Sequence, residues 1–232
     1  MTKISENKYT STHRLDEKWS KLFFLSFFRA ALRYLGCSDL SDLSKEDQQV
    51  HAFHLSLAAL LGKGVYNFGE LLAHPVLQTL NGTPNEWLIH LLVAFNAGDV
   101  KTYEKLRPQW QQQPDLKGNQ EILYEKLCLL VLMEMTFRRD ANDRQLTFAD
   151  IAHQAGLSED KVELLVMKAL SKGLVKGQID QVGQTVNLTW VQPRVLDKEQ
   201  LKTIMGKITI LNESIVSMEK MIENNASEIL TM

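Results

Sequence analysis

The sequence predicts a mainly α-helical protein, in which a helical-repeat array or bundle precedes a winged helix and a long C-terminal helix. Apolar residues recur at helical spacing through the first half, β-rich runs begin only at Leu174, and a regular three- and four-residue spacing starts at Leu201. The predicted segments are a flexible tail over 1–14, helical repeat pairs over 15–112, the bundle end and winged helix over 113–192, and a helix-bundle segment over 193–232. Within the third segment, the winged helix spans 146–192.

Composition is typical of a globular chain and limits the classes of function. The 232 residues are 44% hydrophobic and carry a formal charge of −2, which gives no general attraction to nucleic acid or anionic membrane. No apolar run is long enough for a membrane span, and the polar N-terminus lacks the apolar core of a signal peptide, so we expect an intracellular, reducing compartment. Cys37 and Cys128 are isolated, and we expect both to be small core residues.

Glycine, proline and capping residues divide the first half into helices. Ser44 and Asp99 are predicted N-caps, Gly36, Gly62 and Gly98 are predicted ends, and Pro75 forces a break or a fresh helix start. The predicted helices are Leu15–Leu35, Ser44–Gly62, a helix near Phe68–Ala73, Asn85–Asn96 and Asp99–Trp110, followed by a connector over Gln111–Gly118 and a helix over Asn119–Arg138.

The helix over Asn119–Arg138 is expected at the centre of the bundle. Cys128–Met133 are six consecutive apolar residues, and a helix that is apolar on every side must be buried on every side. Glu134 follows them as a possibly buried carboxylate, for which a structural hydrogen bond or salt bridge is the simplest role.

A winged helix can be assigned between Leu146 and Val191. Thr147 is placed to cap a short helix that ends at Gly156, and Ser158 is placed to cap a second helix that ends at Gly173. Two β-rich runs follow, Leu174–Asp180 and Thr185–Val191, joined by a loop around Gly183.

The charge of this winged helix disfavours DNA binding. Leu146–Gln192 contains five acidic and four basic residues, whereas a DNA reader needs a cationic surplus. On the second helix the predicted buried stripe is Val162, Leu165, Val166, Ala169 and Leu170. Leu164 and Met167 fall at its flank, where completing the core is the favoured interpretation for each and a protein contact is the alternative. The wing contributes Leu174, Val175, Val186 and Leu188 as further candidates for a protein interface.

The C-terminal segment has a heptad pattern that predicts helix–helix contact. Its seam is formed by Leu201, Ile204, Ile208, Leu211, Ile215, Met218, Ile222 and Ile229, with the polar Asn225 in the one interrupted position. A partner helix is the favoured interpretation, and folding back onto the bundle of the same chain is the alternative.

Signatures of catalysis are missing from the sequence. The twelve glycines form no phosphate-binding loop, no serine lies in a G-x-S-x-G elbow, and neither cysteine has a basic neighbourhood. His51 and His54 are three residues apart but lack a third ligand, so they are interpreted as surface or core histidines. We therefore expect no catalytic residue, no metal and no cofactor.

Several runs resemble one known family. They are ALRYLG over Ala31–Gly36, NFGELLAHPVL over Asn67–Leu77, WLIHLLVAFN over Trp87–Asn96, QPDL over Gln113–Leu116, LMEMTF over Leu132–Phe137, RQLTF over Arg144–Phe148, VELLVMKALSKGLVKG over Val162–Gly177 and TWVQPRVLD over Thr189–Asp197. With the order of elements, they identify the chain as resembling the PCI family of scaffold subunits, which build the proteasome lid, the signalosome and a translation initiation factor complex. Family members carry a longer N-terminal array than the pairs found here.

The resemblance implies a non-catalytic subunit of the proteasome lid. It implies edge-to-edge contacts between winged helices, a shared bundle of C-terminal helices, and a cytoplasmic and nuclear hetero-oligomer. Its implied partners are other PCI lid subunits and the metal-dependent deubiquitinase module, with no nucleic acid or membrane. A subunit of a sister PCI complex and a nucleic-acid-binding winged helix remain alternatives.

Overall fold

The computed structural model describes residues 24–37, 44–139, 143–195 and 198–230. The predicted tail over 1–14 and the first part of the helix predicted from Leu15 lie outside these residues. The chain forms two compact units, one through Arg194 and the other from Val195. The predicted segment boundaries stay predictions.

The first unit begins with a helical array. Its helices are α1 (24–37), α2 (Lys45–Leu61), α3 (Gly69–Ala73), a 3-10 helix (Pro75–Leu80), α4 (Trp87–Ala97), α5 (Val100–Lys105), α6 (Arg107–Trp110), α7 (Pro114–Gly118) and α8 (Gln120–Arg138). The predominantly α-helical fold class is thus confirmed.

Most of the predicted capping residues begin or end these helices, but Gly36, predicted as an end, lies inside α1, which continues through residue 37. Ser44 Oγ accepts a hydrogen bond from the Asp47 backbone N–H at the start of α2. Asp99 Oδ1 accepts from the N–H groups of Lys101 and Thr102 at the start of α5. Gly98 ends α4 with φ 67°, in the left-handed region that favours glycine.

Two boundaries between Asp99 and Gly118 differ from the prediction. The single helix predicted to reach Trp110 is two short helices, because α6 starts afresh at Arg107 with Pro108 in its first turn. The predicted connector over Gln111–Gly118 contains the short helix α7, which Pro114 begins. Proline lacks a backbone N–H, so it can begin a helix without losing a hydrogen bond.

Helix α8 occupies the centre of the first unit, as predicted. All six residues of Cys128–Met133 are buried, and α8 contacts α2, α4, α9 and α10. An aromatic group packs beside it, in which Tyr103 stacks on Trp110 with 5.2 Å between ring centroids. The core prediction is correct for Cys128 and wrong for Cys37, which is exposed on α1.

The winged helix completes the first unit. It consists of β1 (Gln145–Thr147), α9 (Phe148–Ala155), a 3-10 helix (Glu159–Lys161), α10 (Val162–Ser171), β2 (Val175–Asp180) and β3 (Thr185–Val191). The three strands form an antiparallel sheet in the order β1-β3-β2, with Leu146 opposite Val186 and Ile179 also opposite Val186. Strand β1 is absent from the sequence prediction, because three residues are too few to show a period of two.

The local signals of the winged helix agree with the structure except at Ser158. Thr147 Oγ1 accepts from the Asp150 N–H, and Gly156 and Gly173 have φ of 66° and 67°. Ser158 begins the 3-10 helix without a side-chain cap. Gly177 lies at a bulge of β2, where a Cβ atom would stand 2.2 Å from the carbonyl oxygen of Asn187.

The second unit contains the predicted C-terminal helix. Helix α11 runs over Lys198–Leu230 and has 33 residues. Within the residues that the structure describes, no helix combines the length and apolarity that crossing a membrane requires.

Candidate protein-interaction surfaces

The outer face of α10 exposes two apolar side chains. Leu164 and Met167 are 51% and 46% exposed, whereas Val162, Leu165 and Val166 are buried. Assigning either residue to the core is therefore wrong, and both are accessible to a partner. Their contact with a protein stays a prediction.

The four wing residues predicted as interface candidates belong to the core instead. Leu174, Val175, Val186 and Leu188 are each at most 2% exposed. Their side chains lie on the inner side of the sheet, where β2 contacts α10 and β3 contacts α8. The prediction was wrong because a run of apolar wing residues indicates that they are buried, but does not indicate whether the same chain or a partner protein buries them.

A partner could still contact the wing through its backbone. Strand β2 lies at one edge of the sheet and pairs only with β3 on its inner side, so its outer backbone groups face away from the sheet. The outward side chains Lys176, Gln178 and Asp180 alternate with less exposed ones. Edge contact by this strand stays a prediction.

The lysines of α10 pair with groups inside the same unit. Lys168 Nζ lies 2.9 Å from Glu125 Oε2, and Lys172 Nζ lies 3.3 Å from Glu125 Oε1 and 3.0 Å from the Tyr66 hydroxyl. Burial alone would raise the pKa of Glu125, but hydrogen bonding to Lys168 and the charge of Lys172 lower it below its ordinary value. These cations join the winged helix to α8 and the array, so part of their charge is neutralised within the unit.

Lys126 is a buried lysine whose structural role the sequence did not predict. Its Nζ donates hydrogen bonds of 2.7, 3.1 and 3.0 Å to the carbonyl oxygens of Ala59, Leu60 and Gly62, at the C-terminal end of α2. It also lies 5.1 Å from the centroid of the Phe68 ring. Burial lowers the pKa of Lys126, whereas the three carbonyl acceptors favour its ammonium form. A lone lysine at the start of an apolar run carries no sequence signal for this role.

Glu134 is held in the structural ion pair that the sequence predicts. Its carboxylate accepts a hydrogen bond from Arg138 Nε at 2.9 Å and pairs with Arg194 across the unit. Arg194 also donates from Nη1 to the carbonyl oxygen of Asn96 at 3.0 Å. The carboxylate thus joins the last residues of the winged-helix segment to α4 and α8, and both its oxygens are occupied.

The heptad seam of α11 is exposed along its described part. Leu201, Ile208, Leu211, Ile215, Met218 and Ile222 are between 52% and 65% exposed, and Ile204 is partly exposed. The side chain of Ile229 lies outside the described ones. The seam is thus available for helix–helix contact, and its use stays a prediction.

Two grooves of the first unit are lined by residues that the structure describes. The larger one, about 1360 Å³, lies beside Lys126, Lys172 and Gly64, and a smaller one of about 610 Å³ lies beside Glu134 and His153. Among the residues that the structure describes, no group of three or more His, Cys, Asp or Glu side chains could hold a metal ion. Burial raises the pKa of the Cys128 thiol to about 11, which leaves this cysteine a poor nucleophile.

Two family models match this arrangement of array and winged helix. One, described as PCI domain, covers residues 100–190. The chain thus contains a PCI domain. The other, described as PSD13 N-terminal repeats, covers residues 6–92.

Curated relatives are similar over most of the PCI-domain chain. The 26S proteasome non-ATPase regulatory subunit 13 homolog A of Arabidopsis thaliana is 42% identical over 90% of this chain and 55% of its own length. The probable 26S proteasome regulatory subunit rpn9 of Schizosaccharomyces pombe is 39% identical over 88% and 53%, and the 26S proteasome regulatory subunit RPN9 of Saccharomyces cerevisiae is 37% identical over 96% and 57%. The chain therefore spans somewhat more than half the length of these relatives.

Proposed function

We propose that this PCI-domain chain is a scaffold and assembly subunit of the proteasome regulatory particle lid, and that it acts in ubiquitin-dependent degradation without catalysing a reaction. The names of its relatives, as regulatory and non-ATPase subunits, support this proposal. The PCI domain over residues 100–190 agrees with it. We also propose that the chain is located in the cytoplasm and nucleus, as the resemblance implies.

The observation that carries the proposal is the exposed seam of α11. At 1.5 Å per residue, 33 helical residues extend about 50 Å, so the seam is long enough to run beside several turns of a partner helix. Removing its isoleucines and leucines from water would stabilise an assembly by about 25 cal/mol for each Å² buried. The proposed partners are other PCI lid subunits, which would join this helix in a bundle and the β2 edge in a sheet, and the deubiquitinase module of the lid.

Charge substitutions in the seam test the proposal directly. In the full chain, the double substitution Ile208→Glu with Ile215→Glu should abolish co-purification with lid subunits, because two carboxylates would have to be buried between helices. Ile210→Glu is the matched control, since Ile210 is 64% exposed on the side of α11 away from the seam. Equal recovery of lid subunits with the double variant and with wild type would refute the role of the seam.

Deletion of Asp197–Met232 gives a second test. The first unit has its own buried core, so circular dichroism should show a folded protein, and that protein should no longer join the lid stably. Normal incorporation of the truncated chain would contradict the proposal.

Nucleic-acid binding is the weaker alternative. Because the α10 lysines are paired internally and Leu164 and Met167 are exposed, we expect no duplex DNA binding at low salt. Micromolar binding that weakens steeply as salt rises would favour the alternative instead.

A further inference from the structure

A third candidate surface lies on α10 and the wing loop of the first unit. Leu164 and Met167 stand three residues apart on α10, and Val182, at the tip of the wing, is 98% exposed. A hydrogen bond of 3.2 Å from Gln181 Nε2 to Glu163 Oε2 ties the wing loop to the first turn of α10. Leu164, Met167 and Val182 are called the α10–wing patch below.

The patch has an acidic border. Glu163 precedes Met167 by four residues on α10, which places its carboxylate one turn before Met167 on the same face. Asp160 lies in the 3-10 helix just before α10. Asp180 adds a third carboxylate at the end of β2, next to the wing loop.

Few cations offset these acids. Lys161 adjoins the border, whereas Lys168 is turned toward Glu125 on α8 at 2.9 Å. The helix dipole explains why Asp160 is placed in a first helical turn, but it does not explain two half-exposed apolar residues in the turns that follow.

We propose that the α10–wing patch binds an amphipathic helical segment of another protein, with apolar residues at helical spacing flanked by Lys or Arg. The ridge formed by Leu164 and Met167 matches the groove of a second helix, and the carboxylates complement cations beside that groove. The same charges repel phosphates. The helix that contacts DNA bases in other winged helices, here α10, would therefore contact a protein. This inference goes beyond the scaffold proposal, because it does not require membership of the lid.

Site-specific photo-crosslinking tests the inference in cells. A photoreactive amino acid replaces Met167 in the full chain, and in a matched control it replaces Val93, which is 48% exposed on α4. Mass spectrometry then identifies the crosslinked peptide. The expected product from position 167 is a Lys- or Arg-bearing amphipathic segment of another protein, which position 93 does not yield.

Every other product overturns the inference. Crosslinks to nucleic acid, to this chain or a second copy of it, or to a segment without cations would each contradict it. The absence of any crosslink, or the same product from position 93, would do so as well. Loss of lid association in the α11 seam variant is a separate measurement, so this inference and the scaffold proposal can fail independently.

The captured segment, made as a synthetic peptide, then provides a binding assay. Leu164→Glu should weaken its affinity for the full chain at least about tenfold, because it places a charge at the centre of the contact. Val93→Glu should leave the affinity within about twofold, since scattered surface positions contribute little. Raising salt from about 50 to about 200 mM should weaken binding, because charges at a rim are screened. Equal affinities for the two variants would refute the inference.

Discussion

Replacing Lys126 by methionine should destabilise the first unit strongly. The substitution keeps an unbranched apolar stem but removes the Nζ that donates to the carbonyl oxygens of Ala59, Leu60 and Gly62. Lys126 is only 5% exposed, so water cannot readily replace the lost donors. The carbonyl groups of Ala59 and Leu60 would then stay buried without partners, and that of Gly62 would keep only the long 3.5 Å hydrogen bond from the Val65 N–H.

The size of the effect follows from two opposing contributions. Leaving a buried acceptor without a donor costs about 1–3 kcal/mol, so three acceptors cost about 3–9 kcal/mol. Removing a buried ammonium returns its desolvation cost, which is several kcal/mol. We expect a net loss of about 3 kcal/mol in the free energy of unfolding, or a decrease of about 6–12 °C in Tm for a unit of this size.

Calorimetry and urea denaturation of Lys126→Met measure the change. Lys172→Met is the matched control, because Lys172 also bonds to Tyr66 and Glu125 but its side chain is 41% exposed. Its loss should cost no more than about 1 kcal/mol, since solvent screens such pairs. Equal Tm changes for the two variants, or a more stable Lys126→Met, would refute the claim that Lys126 stabilises the end of α2 through its hydrogen bonds.

Three further predictions concern single contacts. Gly177→Ala should lower Tm by several degrees, because its Cβ would clash with the β3 backbone, whereas Gly118→Ala, with open space around it, should not. Glu134→Gln should cost about 3 kcal/mol in urea denaturation, because it removes the counter-charge of the buried Arg194 and leaves only its hydrogen bond to the Asn96 carbonyl. Arg138→Gln, at a 70% exposed side chain, should cost less than about 1 kcal/mol. The lowered pKa of Glu125 means that its ion pairs stabilise the fold above its ordinary value of 4.5 and are lost as pH falls below it. The urea midpoints of wild type and Glu125→Gln should therefore differ at neutral pH and converge only as pH falls below about 4.5.

Short-range signals in this sequence were sufficient for most helix limits. The caps Ser44, Asp99 and Thr147 and the left-handed Gly98 and Gly156 each act within four residues, so their outcome depends little on the rest of the chain. The winged helix follows from such signals, with β1 as the exception.

The positions of side chains on surfaces were harder to predict. Leu164 and Met167 lie beside the buried stripe of α10, and only the packing of α8 and the sheet determines that they face outward. The same packing buries Val186 and Leu188, which the sequence offered as interface residues. The period of apolar residues along a helix or strand distinguishes its two faces, but it does not indicate which molecule covers each face.

The polar contacts of the array could not be predicted from the sequence, because they join residues that are far apart along the chain. Lys126 bonds to residues 64 to 67 positions earlier, and Lys172 bonds to Tyr66, 106 positions earlier. Nothing local to Lys126 distinguishes it from a surface lysine. Only the assembled fold brings the partners together.

The pairing of Glu134 with Arg194 has a consequence for the order of folding during synthesis. The arginine follows the carboxylate by sixty residues, so Glu134 is made before the cation that neutralises it. At about 5–20 residues per second, that interval lasts about 3–12 s on the ribosome. During it, α8 cannot bury its C-terminal turn without also burying a carboxylate whose one available partner is the 70% exposed Arg138. We therefore expect the array to close fully only after the last wing strand has left the ribosome, and protease protection of stalled nascent chains should rise once Arg194 has emerged.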